Sequence, residues 1–169
     1  MEIPYECVSI AAEIAHKNNT FVLLNPAPAC EIDSRLMSYI DLLVVNETEA
    51  EVISGKSLKE TGLEGMASIL NKRGARSVII TLGSAGSYML NGEPGERFSA
   101  YEVEAVDSTA AGDTFCGSLI SYLASNINDL GNAIKFASAA AALSVQKLGA
   151  YPSVPQKKEI MDFLSNRSN

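Results

Sequence analysis

Histidine occurs once in this sequence, at position 16, and cysteine three times, at Cys7, Cys30 and Cys116. With one histidine and no Ser or Cys suitably placed beside it, a hydrolase triad has no support. His16 reads as a solvated partner of a helix end. The cysteines are odd in number, far apart and form no CxxC pair, which suggests neither a zinc site nor a disulfide framework. A reducing, cytoplasmic setting is expected. Basic residues are scarce: 13 Lys and Arg against 20 Asp and Glu give a net charge of −7. That argues against a broad nucleic-acid surface, which needs clustered Lys and Arg. It leaves room for a small anion held by backbone N–H groups. No apolar run approaches a membrane span, and the opening MEIPYECVSI lacks the basic start of a signal peptide. Neither nucleic acid nor membrane is expected as a partner.

What is present is an alternation of short β-rich runs with helical stretches, the pattern of an α/β sheet with helices on its faces. Pro4–Lys17 reads as an amphipathic helix, with Val8, Ala11, Ala12 and Ala15 on one face. Phe21–Leu24 reads as a strand, Ile32–Tyr39 as a short helix, Leu42–Val45 as a strand and Glu47–Ile53 as a helix opened by Asn46. Leu63–Lys72 is a further helix, and Ser77–Thr81 a strand entering a glycine turn. Tyr88–Leu90, Arg97–Ala100 and Glu102–Val106 follow as antiparallel strands. The remainder is helical: Gly112–Ser125, Leu130–Lys147 and about Pro155–Asn166. The stretch Ala50–Ser57 imitates a Walker A loop but lies at a helix end, where Gly55 is a C-terminal cap.

Three loops then stand out, each expected at the C-terminal end of a strand, where open α/β sheets bind ligands. In DSTAAGDT the small residues Ala110, Ala111 and Gly112 leave room for a ligand against the backbone. The following helix points free N–H groups and a positive dipole end at it. That is an anion hole suited to a phosphoryl group. Asp113, in the first helical turn, is placed to take a proton from an attacking hydroxyl; equally, Asp is a common helix-start residue. The turn TLGSAG, Thr81–Gly86, can cradle nucleotide phosphates or ribose, or be a plain β-turn. In NETEAE, Asn46 and Glu49 can face a metal-bound phosphate, or simply form a capping box.

Taken together and in order, these loops resemble the PfkB family of carbohydrate kinases. Further matches are LNPAPA (Leu24–Ala29), ITLGSAG (Ile80–Gly86), VDSTAAGDTF (Val106–Phe115), the alanine-rich helix around Ala139–Ala142 and GAYPSVP (Gly149–Pro155). AGDTF is family-wide, whereas NPAPA with NETEAE points to the ribokinase branch. The resemblance implies a doubly wound, ribokinase-like α/β sheet flanked by helices, and phosphorylation of D-ribose to ribose 5-phosphate by ATP. It makes Asp113 the catalytic base and gives the backbone N–H groups of Ala111, Gly112 and Asp113 to the transferred phosphoryl. It assigns Asn46, Thr81, Gly83, Ser84, Gly86, Gly112 and Ser138 to the nucleotide, and Glu49 to Mg²⁺ through water. Glu2 and Asp113 would touch the sugar. A K⁺ site would use Asp107 and Ser153 with the carbonyls of Thr109, Ser144, Lys147 and Gly149.

Members of this family are about twice as long. Residues 1–169 correspond to the C-terminal, nucleotide-binding half, and the N-terminal half with its sugar-binding segments and lid is expected to be absent. The chain alone is then expected to phosphorylate ribose poorly and to associate with a second copy through apolar surface. Other readings are another sugar or nucleoside kinase of the family, such as a fructokinase, and a non-catalytic nucleotide-binding module.

Overall fold

A computed structural model describes residues 2–167. The chain divides into two compact units. The first comprises residues up to Gly83 together with Ser87–Arg97, and the second comprises Ser84–Gly86 and residues from Phe98 onward.

The first unit opens on α1 (Tyr5–Lys17) and continues through β1 (Leu23–Leu24), α2 (Ser34–Met37), β2 (Leu42–Asn46), α3 (Glu47–Ser54), α4 (Leu58–Lys72), β3 (Ser77–Thr81) and β4 (Ser87–Leu90) to the first two residues of β5 (Glu96–Phe98), whose last residue is counted with the second unit. The sheet order is β1-β2-β3-β4-β5. The first three strands run parallel, and β4 returns antiparallel to β3. β2 and β3 are nearly unbroken runs of Leu, Val and Ile with four buried residues each, as parallel strands covered on both faces require. Leu43 and Val45 of β2 and Val78 and Ile80 of β3 share a core with Leu36 and Met37 of α2, Ile53 of α3 and Met66 and Leu70 of α4. Each such side chain, fully buried, contributes about 1.5–3 kcal/mol.

Local signals set the helix ends. Gly55 closes α3 at φ 66°, the left-handed conformation that glycine adopts without steric cost. α4 begins five residues earlier than the apolar period indicates. Ser57 caps it through Lys59 N–H, and the chain bends at Gly62 before the periodic stretch begins.

The second unit holds α5 (Ala111–Leu123), α6 (Leu130–Ser144) and α7 (Lys157–Ser165). α6 packs against both α5 and α7. Ala133, Ala137, Ala139 and Ala140 are fully buried, and such small contact residues shorten the distance between helix axes. Phe136, Ala139, Ala140 and Ile160 form a core joined by Tyr101, Tyr122 and Phe163.

One expectation fails. Residues Glu102–Val106 are not a strand. Their hydrogen bonds go elsewhere. Val106 N–H and Asp107 N–H both donate to the Val145 carbonyl, at 2.7 and 3.0 Å. The Glu102 carbonyl accepts from the Arg167 guanidinium at 3.0 Å, which also lies 4.5 Å over the Phe163 ring. The third loop therefore follows an extended connection fastened to α6, not the end of a strand. Among the described residues no helix is long and apolar enough to cross a membrane.

Candidate functional site

In the first unit, β2 and β3 end in register, with Asn46 paired to Thr81. The first candidate loop and the start of the second thus leave the sheet side by side at one edge. Asn46 Oδ1 accepts from Glu49 N–H and Glu49 Oε2 accepts from Asn46 N–H, both at 2.8 Å. The capping box is therefore complete, and Glu49 is buried. The box uses one oxygen of each side chain. Among the described residues Asn46 Nδ2 and Glu49 Oε1 have no hydrogen-bond partner, so both remain available beyond the cap. Thr81 Oγ1 donates to the Val45 carbonyl at 3.3 Å. Glu2 is exposed.

Gly83, Ser84 and Ala85 form a single 3₁₀ turn after β3. Gly86, in the second unit, sits at φ 93°, and a Cβ there would collide with the Phe98 carbonyl oxygen. Its glycine is therefore required by backbone contact, whatever else it does.

The rest of the candidate set lies in the second unit. Asp107 fastens its loop from both carboxylate oxygens. Oδ1 accepts from Thr109 N–H at 2.9 Å and Thr109 Oγ1 at 2.6 Å, and Oδ2 accepts from Gly149 N–H at 2.8 Å. The Thr109 hydroxyl, the Gly149 N–H and the Thr109 N–H hold this carboxyl below the usual carboxylate range. The shared Val145 carbonyl ties the same loop to the end of α6, next to Ser144 and Lys147. Ser153 is fully buried, and its hydroxyl donates to the Ala150 carbonyl at 2.6 Å. The Ser144 carbonyl accepts from Lys147 N–H at 3.0 Å. The carbonyls of Thr109, Lys147 and Gly149 accept no hydrogen bond among the described residues. Carbonyl oxygens beside a carboxylate are the donor set a hard cation takes.

Ala110 then turns the chain into α5 at φ 58°, ψ 19°. For a residue other than glycine this left-handed conformation costs on the order of 1–2 kcal/mol, and such strain concentrates at functional turns. The turn leaves the start of α5 without a side-chain cap. Ala111 N–H bonds back to the Ser108 carbonyl at 3.2 Å, and Thr114 N–H makes the first helical bond, to Ala110 at 2.9 Å. Between them, Gly112 N–H and Asp113 N–H have no acceptor among the described residues. A Cβ on Gly112 would meet nothing within 4 Å, so that stretch of backbone faces open space. Two free N–H groups stand at the positive end of a 13-residue helix, an arrangement that favours anions in general, and the exposed Asp113 carboxylate stands on the same turn.

Residue-by-residue reading missed the continuation of this surface. Asp113, Gly117 and Ser121 recur at four-residue spacing on α5 and line a cleft of about 350 Å³ with Tyr151, Val154 and Lys157. The signal was the run of small residues one turn apart after Asp113. Ser138, half-buried on α6, does not line that cleft.

The architecture is an α/β fold in which a strained small-residue turn opens onto a helix start without a side-chain cap. The chain belongs to the pfkB family of carbohydrate kinases, whose pattern matches residues 1–157. It is 40% identical over 161 residues to a ribokinase of Staphylococcus aureus strain COL, covering 95% of this chain and 53% of that protein. The crystal structure of a Thermotoga maritima ribokinase superposes with a TM-score of 0.87 at 36% identity, covering 98% of this chain and 55% of the other. An Arabidopsis thaliana ribokinase complexed with ribose and ATP gives a TM-score of 0.87 at 31% identity, covering 96% and 53%. The chain spans about half the length of the curated relatives it matches. The expected ribokinase-like α/β fold is borne out.

Proposed function

We propose that this chain is the nucleotide-binding part of an ATP-dependent kinase that phosphorylates D-ribose to ribose 5-phosphate. The observation that carries the reading is the start of α5, where Gly112 N–H and Asp113 N–H lack partners beside the Asp113 carboxylate. In this role the two N–H groups and the helix dipole stabilise charge growing on the transferred phosphoryl. Asp113 accepts the proton of the attacking sugar hydroxyl. Because phosphoryl transfer depends on positioning and charge neutralisation, an ordinary carboxylate suffices as the base.

Glu49 Oε1 and Asn46 Nδ2, the atoms left over from the capping box, serve Mg²⁺ through water and the nucleotide phosphates. Among the described residues no group of three or more His, Cys, Asp or Glu could hold a metal. Mg²⁺ would therefore take most of its ligands from phosphate and water, as it commonly does. Thr81, Gly83, Ser84, Gly86 and Ser138 line the nucleotide, and Glu2 touches the sugar. The free carbonyls of Thr109, Lys147 and Gly149, with Asp107, Ser144 and Ser153, hold K⁺ and so keep the Ala110 turn in place. The protein works in the cytoplasm.

Two measurements test this. Mg²⁺ and an ATP analogue, titrated into the chain by calorimetry, bind more tightly in K⁺ than in Na⁺. In a polypeptide spanning the full length of the relatives, Asp113→Asn keeps nucleotide affinity and loses at least about a hundredfold in ribose-dependent ADP formation, the usual scale of general-base catalysis. Near-normal turnover of Asp113→Asn would refute the base, and activity only with fructose or a nucleoside would refute the substrate.

A further inference from the structure

Thr109 stands where the carbonyl cluster of the second unit meets the start of α5. Its carbonyl accepts no hydrogen bond among the described residues. That carbonyl and the Ala110 N–H lie in one planar peptide. Whatever turns the Thr109 carbonyl therefore also turns Ala110, whose φ of 58° leads the chain into α5. The free N–H groups of Gly112 and Asp113 follow after Ala111.

The Thr109 hydroxyl is well placed to fix this peptide. Any residue here except proline could give its N–H to Asp107 Oδ1, as Thr109 does at 2.9 Å. The hydroxyl adds to this. It donates its single proton to the same oxygen at 2.6 Å, the length of a charge-assisted bond. Oδ1 is thereby engaged within the loop, and Oδ2 is left to accept from Gly149 N–H at 2.8 Å. Beyond Thr109 the turn has weaker support. Ala110 carries only a methyl group, α5 has no side-chain cap, and Ala111 N–H makes a longer bond of 3.2 Å to the Ser108 carbonyl. A left-handed alanine persists only where its surroundings hold it.

We propose that the Thr109 hydroxyl is a positioning group that couples the carbonyl cluster to the free N–H pair of α5, so that a cation bound at the carbonyls tightens nucleotide binding through it. This deepens the K⁺ site of the proposed function and rests on it. Coupling of this kind is reciprocal and commonly amounts to a factor of about 5–150. Thr109→Val removes the hydroxyl while keeping the side-chain shape, the backbone N–H and carbonyl, and Asp107.

Calorimetric titration of the chain with Mg²⁺ and a non-hydrolysable ATP analogue tests it, in K⁺ and in tetramethylammonium at equal ionic strength. In the unchanged chain the dissociation constant is at least about fivefold lower in K⁺. In Thr109→Val the ratio of the two constants approaches one. In Thr109→Ser, which keeps the hydroxyl, the ratio of the unchanged chain returns. Thr109→Val also melts lower, as loss of a bond to a charged group requires, so the ratio and not the melting temperature decides. An undiminished ratio in Thr109→Val would overturn the proposal and leave the K⁺ site standing. So would a ratio lost equally in Thr109→Ser. A ratio of one in the unchanged chain would overturn the K⁺ site and the proposal together, and failure to bind the analogue in either salt would overturn the nucleotide reading with them.

Discussion

Gly149 N–H donates to Asp107 Oδ2 at 2.8 Å, joining two residues 42 positions apart and closing the loop that leads into α5. The bond favours the ionised carboxylate, as do the two bonds from Thr109. The folded carboxyl therefore titrates below its unfolded value, about 3.9 for Asp. Such a group contributes its stability fully above the unfolded value and loses it as pH falls through the folded one. Thermal midpoints of the unchanged chain and of Asp107→Asn are thus expected to differ most near neutrality and to converge on the acid side of about pH 4. A gap that stays constant across this range would show that the Asp107 charge does not hold the loop.

Gly112→Ala separates ligand binding from folding. Gly112 is helical, and a Cβ there meets nothing within 4 Å. Alanine should leave the fold as stable or stabilise it by up to about 1 kcal/mol. The added methyl stands where the proposed function puts a phosphate against the backbone, so nucleotide affinity is expected to fall at least about tenfold, or about 1.4 kcal/mol. Calorimetry and thermal melts on the same sample check both halves.

At Glu49 two roles are superimposed. Glu49→Gln keeps an acceptor for Asn46 N–H, because Gln serves a capping box as well as Glu. It removes the charge proposed to face Mg²⁺. Its melting temperature should match that of the unchanged chain, while the Mg²⁺ concentration needed for half-maximal nucleotide binding rises. Glu49→Ala also removes the acceptor for Asn46 N–H, while Asn46 Oδ1 still caps the residue-49 N–H, so it should melt lower than Glu49→Gln. Equal Mg²⁺ dependence in the chain and in Glu49→Gln would leave Glu49 a cap and nothing more.

Two glycines in the turn after β3 should answer differently to alanine. Gly83 has φ 56° and open space around a Cβ, so its cost is the left-handed backbone alone, on the order of 1–2 kcal/mol. Gly86→Ala adds a collision with the Phe98 carbonyl and should be clearly the more destabilising. Urea denaturation of the two variants gives the order directly.

Where chemistry is local, the sequence was readable. Asn46 and Glu49 stand three apart at a helix start, and the capping box follows. Gly55 ends α3 because glycine takes the left-handed cap. The runs of Leu, Val and Ile gave β2 and β3 to within a residue. Residues Glu102–Val106 were misleading because their alternation suits a strand, yet the acceptor that claims Val106 and Asp107 belongs to Val145, far along the chain. The first turn of α4 was hidden because Gly62 breaks the apolar period. The Ala110 turn was also unreadable: alanine gives no hint of positive φ, which is imposed by the bonds on either side of it. The role of Ala111 N–H, turned back to Ser108, could be seen only with coordinates.

In the proposed function the free N–H groups at the start of α5 hold the phosphoryl end of a nucleotide. Nitrogen–proton correlation spectra of the labelled chain, recorded while Mg²⁺ and a non-hydrolysable ATP analogue are added, test it most directly. The Gly112 and Asp113 amide signals are expected to move furthest, Ala111 is expected to move less because its N–H is already bonded, and Gly112→Ala is expected to suppress the response. Tight binding of the analogue with the Gly112 and Asp113 signals unmoved would contradict it.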